Sequence, residues 1–220
     1  HKVDILGTQV SSIRSADLLA AFKSFIQQKQ FIQVAITPAN SILAAYKNKA
    51  VQNLYNISDY VLCDGVPVRW AAAFLNTPIV ERITGLDLLP DLVAFAAKEN
   101  FSLFLLGASP GVGERLKEVI LQQYPNCNIV GIYVPPFMPV FDATENKKMV
   151  DAVNAAQADI VLVSLTAPKQ DIWIAENLVK LDVHMAIGIG GAFEVAAGMI
   201  QRAPVWMQKS GLEWFYRFLQ

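Results

Sequence analysis

Short β-branched, apolar runs alternate with amphipathic helical patterns along nearly the whole chain, and no other feature of the sequence restricts the fold as strongly. The runs at 3–6, 32–37, 60–63, 101–106, 128–134, 160–165 and 183–189 predict strands. Between them the spacing predicts helices over 15–29, where Leu18, Phe22 and Phe25 or Ile26 share a face, and over 85–98, 113–124, 144–156 and 170–180. Such alternation is the rhythm of a parallel sheet, because each parallel pair needs a crossover connection. Ile160-Val-Leu-Val163 is apolar at every position, as a strand covered on both faces must be. The expected fold is α/β: three layers, with a mostly parallel sheet between helices on both faces.

Composition sets the outer limits. Apolar residues make up 54% of the 220, above the usual share of about 45–50%, so a large core can form and disorder is excluded. Eighteen basic and nineteen acidic residues leave a net charge of -1, which provides no field to gather nucleic acid. Mean hydropathy of +0.35 leaves apolar surface over, to meet a second copy of the chain or a membrane. The uncharged stretch from Val119 to Phe141 holds four prolines and cannot be a spanning helix. The N-terminus has no basic region followed by an apolar run, so a cytosolic chain is expected. Two cysteines and two histidines support neither a disulfide framework nor a zinc site.

In open parallel sheets ligands bind beyond the carboxyl ends of the strands. Gly107-Ala-Ser-Pro-Gly-Val-Gly113 follows one strand and precedes a helix, where free N–H groups favour a phosphate; a ligand-free tight turn explains it equally. It matches neither the dinucleotide-binding nor the P-loop pattern, and no cofactor is expected. Gly188-Ile-Gly-Gly-Ala-Phe-Glu194 is a second glycine-rich turn, suited to close backbone approach to a ligand or to another element. Glu194 could accept from a uracil imide or a ribose hydroxyl, or simply sit where a helix dipole favours a carboxylate.

Asp64 follows Tyr60-Val-Leu-Cys63 and precedes Gly65, at the mouth of the sheet. Its two readings are a general base and an Asp-Gly turn residue. Arg82 and Thr84 precede a helix and can grip a phosphate or sugar oxygen, while Thr84 can equally be the N-cap. Lys169 and Gln170 follow the most apolar strand. No Asp-x-Asp occurs, so the carboxylate pair that commonly holds a divalent metal on a nucleotide-sugar diphosphate is missing, and no metal is expected. His184 is read as a core histidine inside a strand, which disfavours serine-hydrolase chemistry.

Six segments taken in order resemble one family. They are Cys63-Asp-Gly-Val-Pro-Val-Arg-Trp70, Glu81-Arg-Ile-Thr-Gly-Leu-Asp-Leu88, Phe104-Leu-Leu-Gly107, Ala167-Pro-Lys-Gln-Asp171, Gly190-Gly-Ala-Phe193 and Arg202-Ala-Pro-Val-Trp-Met-Gln208. Together they are similar to the WecG/TagA/CpsF glycosyltransferases, which include N-acetylmannosaminyltransferases of wall teichoic acid and enterobacterial common antigen synthesis. The resemblance implies a Rossmann-like catalytic domain over 1–203. It implies transfer, with inversion and without an essential metal, of an N-acetylhexosamine from a UDP donor to an undecaprenyl-diphosphate-linked sugar. By motif, Asp64 corresponds to the family's proposed base. Thr37, Asn40, Arg82, Thr84, Gly107, Gln170, Gly190, Gly191 and Glu194 are the expected substrate-binding residues. Asn40 comes one residue later than the family's usual asparagine, Glu194 replaces a commoner Asp, Thr166 stands where Gly is common, and Asp171 stands for the usual Glu. Another donor, such as UDP-glucose or UDP-N-acetylmannosaminuronic acid, and a non-catalytic nucleotide-binding protein are the alternatives.

Residues 204–220 read as an amphipathic aromatic helical segment in which Met207, Gly211, Trp214 or Phe215, and Phe218 recur at helical spacing. The pattern meets no stop signal by Gln220, and the family resemblance implies a basic tail beyond it. The expectation is a truncated chain whose full form lies peripherally on the inner face of the plasma membrane.

Overall fold

Residue parity along the strands decides which side chains meet which helix layer. The structure, a computed structural model, describes residues 1–218, with the side chains of all but Lys209, Trp214, Arg217 and Phe218. The elements are β1 (Lys2–Ile5), β2 (Thr8–Ser11), α1 (Ser15–Gln27), β3 (Ile32–Pro38), α2 (Ala39–Lys47), α3 (Lys49–Ile57), β4 (Tyr60–Asp64), α4 (Val66–Phe74), α5 (Gly85–Glu99), β5 (Ser102–Gly107) and α6 (Val112–Gln123). There follow β6 (Asn128–Tyr133), α7 (Ala143–Ala155), β7 (Ile160–Ser164), α8 (Lys169–Asn177), β8 (Met185–Gly188), α9 (Ala192–Ala196), α10 (Val205–Ser210) and α11 (Glu213–Phe218).

One sheet runs β1-β2-β4-β3-β8-β7-β5-β6, parallel except for the β1–β2 pair. Val34, Ile36, Leu103, Leu105, Ile160 and Leu162 point to the face packed by α1, α5, α6 and α9. Their neighbours Phe104, Leu106, Val161 and Val163 point to α7 and α8, and Ala35, Val61 and Cys63 to α2, α3 and α4. This period-2 division between two helix layers is why the strands read as unbroken apolar runs. The three-layer α/β expectation holds.

Register brings one edge together. Pro38 pairs with Asp64, Gly107 with Ser164, and Val163 with Gly188, so the carboxyl ends of five strands share a rim. β3 and β8 are neighbours there although about 150 residues separate them in the chain.

Several elements escaped the sequence reading. β1 and β2 form a hairpin whose turn residues, Leu6 and Gly7, both have positive φ (53° and 84°), with Gly7 N–H donating to Asp4 Oδ1 at 2.8 Å. Such a turn normally carries Asn-Gly or Asp-Gly, and Leu6 conceals it. Helices α2 and α3 are nine residues each and join at Asn48, whose side chain caps α3 by accepting from Ala50 N–H at 3.0 Å. α4 starts directly after Gly65 with Pro67 in its first turn.

Two readings need correction. His184 is not in a strand. It precedes Met185 at the amino end of β8, its side chain 29% exposed and 4.0 Å from Asp159 Oδ1. The terminal segment is not one helix either. Gly211 adopts φ 77° and separates α10 from α11, because an αL residue ends the helical ladder. Of the expected stripe, Met207 is buried and Phe215 half-exposed, while the Trp214 and Phe218 side chains lie outside the described residues.

Candidate active site

A cavity of about 620 Å³ opens at the carboxyl rim, across the junction of β3 and β8. Its walls come from the segments after β3 (Pro38, Ala39, Asn40), β4 (Asp64 to Pro67), β7 (Thr166, Ala167, Gln170) and β8 (Ile189 to Ala192), and from Arg82 to Leu86. Gly211 and Glu213 of the terminal segment complete the lining.

Asp64 is half-buried at the last position of β4. Gly65 at φ 114° turns the chain away immediately after it, a conformation open to glycine, and leaves the carboxylate at the rim. Its charge is felt locally. The Cys63 thiol is pushed up to about 12, first by burial and then by the Asp64 carboxylate, with Arg69 and Arg82 acting in the opposite sense. A carboxylate with two guanidiniums in electrostatic range stays ionised and can accept a proton.

Arg82 lines the cavity with its guanidinium 3.8 Å from Asp87. Thr84 is the N-cap of α5: it accepts from Asp87 N–H at 3.1 Å and donates to Asp87 Oδ2 at 2.7 Å. Both readings of Thr84 therefore meet at one residue, a cap that also faces the cavity. Asp87 further receives Arg202 Nη2 at 2.7 Å, and Arg202 Nε donates to Glu213 Oε1 at 2.9 Å. A chain of alternating charges thus runs from the cavity wall to α11 and back to the cavity.

Gln170 is 1% exposed, and its Oε1 accepts the Gly190 N–H at 3.0 Å. On the other side Ser164 Oγ donates to Gly190 O at 2.6 Å. The Gly190–Gly191 turn is held from both flanks, with open space where a Gly190 Cβ would stand. Thr166 stands at φ 64°, the left-handed region that a β-branched residue strongly resists. Glycine would be relaxed there.

The structure gathers Asn40, Asp64, Arg82, Thr84, Gln170, Gly190 and Gly191 around the one cavity. It does not bring Thr37, Gly107 or Glu194 to it. Thr37 is fully buried and donates to Leu62 O at 2.9 Å, because its side chain alternates away from the rim. Gly107 ends β5, which β7 separates from β8, and its Cβ position is filled by the Ser164 carbonyl. Glu194 Oε2 is buried with no hydrogen-bond partner among the described residues. Lys169 turns aside: its ammonium lies 3.8 Å over the Phe141 ring and donates to Met138 O. Glu213 and Gly211 were missed, since nothing local to 211–213 announces a return to the rim.

Among the described residues no cluster of His, Cys, Asp and Glu is arranged to hold a metal ion, and no helix is long and apolar enough to cross a membrane.

A parallel α/β sheet with a mixed-charge cavity at its carboxyl rim, built around Asp64 and two glycine turns, defines an enzyme that handles a soluble anionic substrate. The profile of the glycosyl transferase WecG/TagA/CpsF family matches residues 3–220, and the chain belongs to that family of glycosyltransferases. It is 29% identical over 220 residues to the N-acetylglucosaminyldiphosphoundecaprenol N-acetyl-beta-D-mannosaminyltransferase of Staphylococcus aureus strain MRSA252, covering 99% of this chain and 84% of the relative. The proteins of the same description from strains NCTC 8325 / PS 47 and COL are similar to the same extent.

Proposed function

We propose that this glycosyltransferase moves N-acetylmannosamine from a UDP donor to N-acetylglucosaminyl-diphosphoundecaprenol, with inversion at the transferred carbon. Residues 1–203 form the catalytic body and 204–220 a terminal segment that adds to the cavity wall. The observation that carries the reading is the presence of Asp64 and Arg82 in one cavity with the Gly190–Gly191 turn.

In this mechanism Asp64 takes the proton from the acceptor hydroxyl as its oxygen attacks C1 of the sugar. The C1–oxygen bond to the diphosphate breaks, and UDP leaves with the electron pair. Arg82 and backbone N–H groups stabilise the negative charge that develops on it. Attack opposite the leaving group inverts the centre in one displacement.

The acceptor is lipid-linked, and Val205 and Trp206 of α10 are 62% and 63% exposed beside a segment that lines the cavity. These support peripheral attachment at the inner face of the plasma membrane through the C-terminal segment. The exposed apolar ridge of Trp70, Phe74 and Leu75 on and after α4 supports self-association.

UDP release on mixing a panel of UDP-sugars with a lipid-diphosphate-linked N-acetylglucosamine tests the proposal. Release with UDP-N-acetylmannosamine above all other donors is expected. Preference for UDP-glucose or UDP-N-acetylmannosaminuronic acid would reassign the donor, and UDP binding without turnover would make the chain a binding protein.

A further inference from the structure

Beneath the cavity floor lies a buried polar pair that the mechanism above does not use. Tyr55 on α3 is 1% exposed and donates its hydroxyl to Asp171 Oδ2 on α8 at 3.1 Å, across 116 residues of sequence. Asp171 is itself 2% exposed, and its other oxygen is buried with no hydrogen-bond partner. Burial pushes the Asp171 carboxyl up to about 8, and the Tyr55 hydrogen bond acts against that. Neither residue lines the cavity.

A carboxyl buried with a single donor is an expensive way to fill space, and a leucine would do it at lower cost. What the pair does provide is placement. Helix α8 begins at Pro168 without a side-chain cap, so its first turn lacks the usual anchor. Asp171 and Gln170 are consecutive in that turn, and both side chains converge on the bare Cα of Gly188. A Cβ there would lie 2.7 Å from Asp171 Oδ1 and 2.7 Å from Gln170 Nε2. Gln170 in turn holds the Gly190 N–H.

We infer that Tyr55 is a positioning residue of the active site: through Asp171 it fixes the first turn of α8, and through Gln170 it fixes the Gly190–Gly191 wall of the cavity. The connection runs from the hydroxyl of α3 to a backbone amide at the end of β8. It rests on the proposed function only in taking that wall as part of the donor site.

The test combines two readouts on Tyr55→Phe. Amide exchange followed by NMR should show the Gly190 N–H losing about tenfold in protection while amides in β5 and β7 keep theirs. The donor KM should rise about fivefold to tenfold with kcat within about twofold. Asp171→Asn keeps an oxygen to accept from Tyr55 and should retain wild-type Gly190 exchange and donor KM. In a Gln170→Ala background Tyr55→Phe should add nothing to KM, because the connection is already cut. Where Tyr55→Phe does not fold, Asp171→Ala removes the acceptor instead and should reproduce both effects. Wild-type Gly190 exchange in Tyr55→Phe or Asp171→Ala, or additive effects with Gln170→Ala, overturns the inference and leaves the proposed reaction standing. Wild-type protein that fails to release UDP from any donor overturns the reaction, while the exchange measurement still decides the connection.

Discussion

Arg202 and Asp87 lie 115 residues apart in the chain, and their side chains meet at 2.7 Å beside the cavity. Because Arg202 also binds Glu213, this contact ties α11 to the first turn of α5. The pair is partly solvated, so it contributes on the order of 1 kcal/mol, enough to hold a short terminal segment in place without stabilising the body. Arg202→Ala should therefore speed limited proteolysis within 205–218 by several-fold and leave cleavage elsewhere unchanged. Equal cleavage rates would show that the segment is held by Met207 and its apolar neighbours alone.

Asp64→Asn should cut turnover by about 10²-fold or more, the usual scale for losing a general base, with UDP affinity nearly intact. Turnover and calorimetric UDP titration on the same preparation check it. Near wild-type turnover would remove Asp64 from the mechanism.

Thr166→Gly should stabilise the fold by about 0.5–1 kcal/mol, since relief of the strain at φ 64° exceeds the added freedom of the unfolded glycine. Urea unfolding of the two proteins measures the difference. A destabilised variant would mean that the Thr166 hydroxyl, which donates to Leu165 O, outweighs the strain.

Asp171 gives a pH dependence of stability with a definite sign. Its carboxyl stays protonated in the folded protein up to about 8, whereas in the unfolded chain it ionises near 4. Between those values the folded state holds the extra proton, so the contribution of this group falls as pH rises from about 4 to about 8 and then levels off. Asp171→Asn removes that slope. Its unfolding free energy relative to the wild type should improve by about 2 kcal/mol between pH 6 and pH 9. A constant difference over that range would place the folded carboxyl near its ordinary value.

Chelation is a separate check on the chemistry. EDTA should leave UDP release unchanged, because Arg82 and backbone amides serve the diphosphate. Complete loss with rescue by manganese would require a metal in the mechanism.

Local periodicity was enough to foresee β3 through β8 and the long helices α1, α5, α6 and α7, since each of these elements carries its apolar face within its own residues. It was also enough to single out Asp64, Arg82 and Gln170 by their places after strands. Strand order is another matter, because pairing joins residues far apart in the chain and leaves no local trace. Only the order β3-β8-β7-β5 decides that the turn at Gly190 reaches the cavity and the one at Gly107 does not. Parity at the strand end, set by register with β4, turns Thr37 inward while Asn40 beyond it reaches the cavity. Arg202, Glu213 and the buried Tyr55–Asp171 pair belong to the same class. Each acts through a partner that only the folded chain supplies.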